Sequence, residues 1–254
     1  MRRIKLIVSY DGTDYCGWQV QPGKRTIEGE LNKALCSLLR EEIAVIGASR
    51  TDSGVHGLGN IAVFDTESRI PGEKFSYALN QRLPEDIVVQ QSCEVAPDYH
   101  PRKCSSTKTY EYRIWNDPFP NPLNRRYTTF VYTPLVAERM AEAAQYLVGE
   151  HDFTSFCSVA TQVESKVRTI YSLDVIREGK LITLRVKGSG FLYNMVRIIA
   201  GTLIKVGQGA MEPEQIPEIL AAMDRQKAGP TAPPEGLTLV SVATENRMNK
   251  EFTP

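Results

Sequence analysis

Arg50 and Asp52 stand two residues apart in a turn rich in glycine and serine, Gly47-Ala48-Ser49-Arg50-Thr51-Asp52-Ser53-Gly54-Val55-His56-Gly57, directly after the apolar run Ile43 to Ile46. A carboxylate at the mouth of a strand with a cation beside it stays ionised and can serve as nucleophile or base. The glycines allow backbone or substrate to come close. Asp, Ser and Gly are also ordinary turn residues, and spacing alone favours a surface turn. Asp52-Ser53-Gly54 matches the aspartic-protease pattern, but that chemistry needs a second carboxylate sharing a proton, and no second such tripeptide occurs. The chain has three histidines, and the two besides His56 (His100 and His151) stand in unrelated contexts, so a metal site on Asp52 and His56 has thin support; His56 reads as a hydrogen-bonding residue of the loop. Gly23-Lys24-Arg25-Thr26 lacks the glycine spacing of a phosphate-binding loop.

Two further positions could carry chemistry. Lys108, Tyr110, Tyr112 and Ile114 share one face of an alternating segment, Thr107 to Trp115. Tyrosines there are usually half-buried sheet aromatics, and the residues alone favour that; the functional alternative is stacking on an extruded base. Asn194, Arg197, Gly201 and Lys205 fall at i, i+3, i+7 and i+11, a narrow polar stripe on an otherwise apolar helix from about Phe191 to Val206. An arginine buried there needs an anion, and a structural carboxylate, an active-site aspartate or a phosphate would each serve.

The elements that must position these groups fall into two similar runs. Ile4–Tyr10 alternates as a strand, Thr26 to Arg40 carries the stripe Ile27, Leu31, Leu35 and Leu38 of a helix, and Ile43–Ile46 and Asn60–Thr66 read as strands. A short helix around Phe75–Leu79 and a strand at Ile87–Val95 complete a β-α-β-β-α-β order, the split ferredoxin-like arrangement. The second run opens with Thr107–Trp115 and a strand at Tyr127–Tyr132. Thr133-Pro134 reads as the start of a helix that Gly149 can end. Val167–Ile176 and Leu181–Val186 form a hairpin across Glu178-Gly179, Pro213 opens a last helix, and Leu237–Thr244 is a closing strand, with a frayed tail expected after Asn246. The reading is an α+β protein of two ferredoxin-like or RRM-like halves, residues 1–104 and 105–254, with antiparallel sheets flanking a central active-site cleft.

Composition sets the outer bounds. The 254 residues are 42% hydrophobic and 24% charged, the balance of a soluble globular protein. No apolar run approaches the ~20 residues that span a bilayer. Five cysteines, odd in number and without CxxC spacing, argue against a disulfide framework and a zinc site and fit a reducing cytoplasm. The formal net charge of +0 predicts no polyanionic partner by itself, although Arg102, Lys103, Lys108, Arg113, Arg125 and Arg126 cluster in one stretch.

Taken together, several blocks resemble the tRNA pseudouridine synthase A family. They are Tyr10-Asp11-Gly12-Thr13-Asp14-Tyr15-Cys16-Gly17-Trp18-Gln19-Val20-Gln21, Arg50 to Gly57, Lys108-Thr109-Tyr110-Glu111-Tyr112, Gly149 to Phe156, Gly190 to Arg197, and Ala232 to Leu237. The likeness runs in order through nearly the whole chain; Ser49 and Ser53 depart from it, where the family usually has glycine and alanine. The resemblance implies an isomerase that converts uridine to pseudouridine in the anticodon stem-loop of tRNA, at about positions thirty-eight to forty. It implies a homodimer with a basic cleft and neither metal nor organic cofactor. It further implies Asp52 as nucleophile, Arg50 as an aid to base flipping, Tyr110 packed on the target base, and Arg197 paired with the aspartate. Two rivals remain at this stage: a non-catalytic RNA-binding protein on the same halves, and a hydrolase using Asp52 and Arg197 on a small acidic metabolite.

Overall fold

A computed structural model describes residues 1–161 and 163–244; the tail expected to fray after Asn246 lies outside the described residues. The chain is mixed α/β, with mostly antiparallel strand pairing and five α-helices among the described residues. It divides into two compact units, one of Met1–Ser106 with the segment that begins at Leu239, the other of Thr107–Thr238.

In the first unit, β1 (Arg2–Tyr10) is followed by α1 (Ile27–Leu39), β2 (Ile46–Gly47), β3 (His56–Thr66), α2 (Phe75–Asn80) and β4 (Ile87–Val95). Helix α1 starts where the sequence predicts, because the Thr26 side chain accepts from the amide of Gly29 at 3.3 Å, and it stops at Arg40, whose φ of 58° breaks the helical run. Its face of Ile27, Leu31, Ala34 and Leu35 packs with Ile4, Leu6, Val8, Phe64 and Phe75 into one core. β1 lies between β3 and β4, antiparallel to both, with Leu6 opposite Ala62 and Ser92. The strand expected at Ile43–Ile46 is a correction: only Ile46–Gly47 pairs, with Val63 and Ala62. Ile43 and Val45 are buried all the same, and the amide of Val45 donates to Asn32 Oδ1 at 2.9 Å, so a helix side chain takes the place of a ladder partner.

In the second unit come β5 (Ser106–Asn116), β6 (Thr129–Val131), α3 (Ala137–Gln145), β7 (Gly149–Asp152), β8 (Val167–Glu178), β9 (Leu181–Gly188), α4 (Met195–Gly207) and α5 (Gln215–Ala222). The order is β5-β9-β8-β7, with β6 parallel to β5; the expected hairpin of β8 and β9 forms, but it turns at Gly179-Lys180, one residue later than expected, with Glu178 still paired to Leu181. The helix expected to start at Thr133-Pro134 starts later, at Ala137. Thr133 is occupied by tertiary bonds: its carbonyl accepts from Asn116 Nδ2 at 2.7 Å and its hydroxyl from Gln208 Nε2 at 2.8 Å. Gly149 does not end that helix; it opens β7 with a φ of 113°. Helix α4 likewise begins after Asn194 rather than at Phe191, since Asn194 sits at φ 61°. The last strand, β10 (Leu237–Thr244), returns to pair with β3.

Candidate functional site

The signature turn joins β2 to β3, and its path is set by buried polar side chains rather than by its own residues. Asn60, fully buried on β3, accepts from the amide of Ser49 at 3.2 Å and donates to its carbonyl at 3.0 Å. With the amide of Ala48 donating to the Ile61 carbonyl at 2.7 Å, the strand edge is prolonged past β2 by a side chain that mimics a backbone partner. Thr51 is tied at both ends: its hydroxyl shares a hydrogen bond of 2.9 Å with Tyr10 Oη, and its carbonyl accepts from the amide of Trp18 at 3.0 Å. Burial pushes the Tyr10 phenol well above its ordinary value, although Thr51 and Asn60 pull it down, so the hydroxyl stays protonated.

Asp52 then begins a tight turn in which the amide of Val55 donates to its carbonyl at 3.2 Å and Gly54 adopts φ 78°. The carbonyl of Tyr15 receives both the Ser53 hydroxyl at 3.1 Å and the Gly54 amide at 3.2 Å. Two glycines of the preceding segment permit this contact. A Cβ on Gly12 would lie 2.0 Å from the Val55 carbonyl oxygen, and one on Gly17 (φ 85°) would lie 2.7 Å from that of Thr51. The Tyr10-to-Gln21 block is thus the mould of the Asp52 turn. Asp52 is half-buried and Arg50 exposed, so the loop offers a carboxylate with one sheltered side and a long cation reaching outward.

His56 opens β3 and is buried; its Nδ1 accepts from the amide of Gly12 at 3.1 Å and lies 3.2 Å from Asp11 Oδ1. Nδ1 thus lies between the Gly12 amide and the Asp11 carboxylate, so the imidazole pins the mould to the loop. These two partners lie in the preceding segment. Among the described residues no group of three His, Cys, Asp or Glu could hold a metal ion.

In the second unit, Tyr110 lies on β5 opposite Val186 of β9 and is buried, its ring edge-on to Phe191 with centroids 5.2 Å apart. Tyr112, two residues on, is fully buried and shares a hydrogen bond of 2.6 Å with Thr129 Oγ1, and donates at 2.9 Å to the Pro233 carbonyl. The two tyrosines therefore differ: Tyr112 is a packing residue of the sheet, while Tyr110 borders the Gly190-to-Arg197 block. Arg197, half-buried in the first turn of α4, donates through Nε to the Ala232 carbonyl at 2.7 Å and through Nη1 to Asn194 Oδ1 at 2.9 Å. The amide of Ala232 returns a bond to the Arg197 carbonyl at 3.0 Å, so helix and Pro-rich loop are locked together. A Cβ on Gly201, one turn further, would lie 1.9 Å from the Pro230 oxygen. The polar stripe predicted on this helix is the seat of that loop. Gly149 to Phe156 is architectural: Asp152 accepts from the Thr154 amide and hydroxyl, and Ser155 donates to the Ile219 carbonyl at 2.6 Å.

The expected residues thus fall in two sets, Arg50 and Asp52 on one loop of the first unit, Tyr110 and Arg197 around Phe191 and Ala232 in the second. The sequence reading missed Asn60, Thr51 and Tyr10 as the groups that hold the loop. A signal for Asn60 was present, a polar residue at the head of the apolar run Ile61 to Phe64.

Residues 6–102 and 143–244 match the model of a protein family described as tRNA pseudouridine synthase, and pseudouridine synthases are isomerases. The matched segments contain Arg50, Asp52 and Arg197; Tyr110 lies outside them. At full length, tRNA pseudouridine synthase A of Brevibacillus brevis is 49% identical over 242 residues, 95% of this chain and 99% of that protein. The proteins of the same name from Ruminiclostridium cellulolyticum and Bacillus subtilis are 49% and 47% identical over 95% and 96% of this chain, covering 99% and 100% of their own length. The chain belongs to the tRNA pseudouridine synthase A family. A solved Cbf5-Nop10-Gar1 complex is 14% identical with a TM-score of 0.34, covering 79% of this chain and 54% of that one, too weak a likeness to add to the assignment. No helix among the described residues is long and apolar enough to cross a membrane.

Proposed function

We propose that this protein isomerises uridine to pseudouridine in the anticodon stem-loop of tRNA, at about positions thirty-eight to forty, with Asp52 as nucleophile. The observation that carries the reading is the Asp52 turn, a half-buried carboxylate on a loop clamped by Asn60, Tyr10 and the Tyr15 carbonyl, in a chain of this family. The reaction breaks the N1–C1′ bond, turns the base, joins C5 to C1′ and releases the C5 proton, while N1 gains one. An ionised carboxylate can attack C1′, add to C6 of the ring, or remove a sugar proton on a glycal route, and a rigid loop holds it in line for any of these. Arg197 pairs with that carboxylate and keeps it charged; Tyr110 packs on the uracil and can relay the C5 proton. Extruding the base costs a few kcal/mol, and Arg50, exposed beside Asp52, fills the gap that it leaves.

The rest of the proposal is a cytoplasmic homodimer, each chain with two ferredoxin-like halves, working without metal or organic cofactor. In the first unit β1 lies between β4 and β3, and the short β2 pairs with β3 beside the main run of strands, which supports the ferredoxin-like reading of that half. The test is tritium release from tRNA transcripts labelled at uridine C5, with wild type and Asp52→Ala side by side. Release by wild type alone supports isomerisation and the role of Asp52; full release by Asp52→Ala refutes the nucleophile, and tight binding with no release from any tRNA returns the non-catalytic RNA-binding reading.

A further inference from the structure

Asp86 stands just before β4 and meets the Tyr10-to-Gln21 mould near its start and in its middle. Its carbonyl accepts from the amide of Asp11 at 3.0 Å. Its Oδ1 accepts from Tyr15 Oη at 2.5 Å, the separation of a phenol bonded to a carboxylate. Its Oδ2 lies 3.3 Å from Arg25 Nη1, and the Arg25 guanidinium sits over the Tyr15 ring, 4.3 Å from the centroid. The Arg25 carbonyl accepts from the amide of Cys16 at 2.8 Å, which closes the segment back on itself. Tyr15 is only 2% exposed, so its ring has little room to swing. Burial first, and then the Asp86 carboxylate, push the Tyr15 phenol above its ordinary value, so it stays protonated and donates.

Tyr15 is thus a lever between two contacts. Asp86 holds its phenol, and its carbonyl holds the tip of the Asp52 turn through the Ser53 hydroxyl and the Gly54 amide. Asn60 clamps the loop at Ser49, before Asp52, and Tyr15 clamps it just after. The carboxylate lies between these anchors along the chain, so losing either lets it drift from the reacting atoms.

We propose that Asp86 is a positioning residue for Asp52, acting through Tyr15 to fix the Ser53-Gly54 tip of the turn, an inference that rests on Asp52 being the nucleophile. Asp86 acts at a remove: it holds Tyr15, Tyr15 holds the turn, and the turn aims the carboxylate. The ion pair with Arg25 is partly exposed and contributes little beside the bond to the buried phenol.

The experiment measures kcat and KM for C5-tritium release from a tRNA transcript, below the melting transition of each protein as followed by circular dichroism. It compares wild type, Asp86→Ala, Asp86→Asn, Tyr15→Phe and the double variant Asp86→Ala with Tyr15→Phe. Each of Asp86→Ala and Tyr15→Phe is expected to lower kcat by about 10- to 10²-fold with KM within about twofold of wild type. The double variant is no slower than the slower single one, because both act along one path. Asp86→Asn keeps an acceptor for the phenol and recovers most of kcat. Undiminished kcat in a folded Asp86→Ala protein overturns the proposal, and so does a double variant whose loss is the product of the two single losses. Asp86→Asn as slow as Asp86→Ala overturns it too, as does a rise in KM with kcat unchanged, which marks a contact to tRNA instead. Where Asp86→Ala does not fold, Tyr15→Phe decides: a fall in kcat with KM held supports the proposal and an undiminished kcat overturns it. Asp52→Ala is run alongside. Release that survives in it strikes the nucleophile reading, whereas wild-type kcat in Asp86→Ala with none in Asp52→Ala strikes the role of Asp86 alone.

Discussion

Replacing Asn60 by alanine removes the side chain that closes the Asp52 loop onto β3. Both of its bonds to Ser49, at 3.2 and 3.0 Å, are lost, and Asn60 and Ser49 are buried at 0% and 3% exposure, so water does not replace them readily. A buried amide and a buried carbonyl left unpaired cost roughly 1–3 kcal/mol apiece where the loop cannot move, so the expected loss is about 2–6 kcal/mol. With a slope of ~3 kcal/mol per molar urea, the unfolding midpoint falls by roughly 0.7–2 M. If the loop relaxes instead, stability recovers but Asp52 moves by a fraction of an ångström or more, and tritium release drops by up to about 10²-fold. Asn60→Asp keeps the acceptor for the Ser49 amide and loses the donor to its carbonyl, so its defect lies between the two. Urea titration and C5-tritium release on the same preparations read both outcomes. A midpoint within about 0.2 M of wild type together with undiminished release refutes the claim that Asn60 sets this loop.

Other consequences follow from the same geometry. Tyr10→Phe, which removes the hydroxyl that meets Thr51 and Asn60, lowers stability by about 1–2 kcal/mol by urea titration, with a larger effect on kcat than on KM. Gly201→Ala drives a methyl into the Pro230 carbonyl and displaces the loop that Arg197 holds, so release falls while circular dichroism still shows a folded protein. Burial acts to raise the carboxyl of Glu111, but the hydrogen bonds from Arg185 and Arg113 outweigh it and leave its pKa below the ordinary value of 4.5. A lowered folded-state pKa stabilises in full above the unfolded value, so the advantage of wild type over Glu111→Gln is constant above about pH 5.5 and shrinks as pH falls through 4.5 and below; a difference flat down to pH 3 in thermal melts refutes this.

Much of this protein was readable from its residues. The stripe of α1 with its Thr26 cap, the alternation of β1, β4 and β5, and the β8–β9 hairpin all rest on local preferences that neighbouring residues satisfy. The sequence also singled out Asp52, because its block is distinctive, and it rejected protease and metal readings that needed partners the chain lacks. What it did not determine were the features decided by groups far apart along the chain. Ile43 to Val45 had strand residues but found Asn32 and the core instead of a ladder. Thr133 had the chemistry of a helix cap, but Asn116 and Gln208 claimed it, and α3 began at Ala137. The clamp of Asn60 on Ser49, the bond of Tyr10 to Thr51 and the return of β10 to β3 belong to the same class. A pattern of apolar and polar residues sets which face of an element is buried; it does not say which distant donor or acceptor meets a buried polar group there, because that partner exists only once the chain has packed.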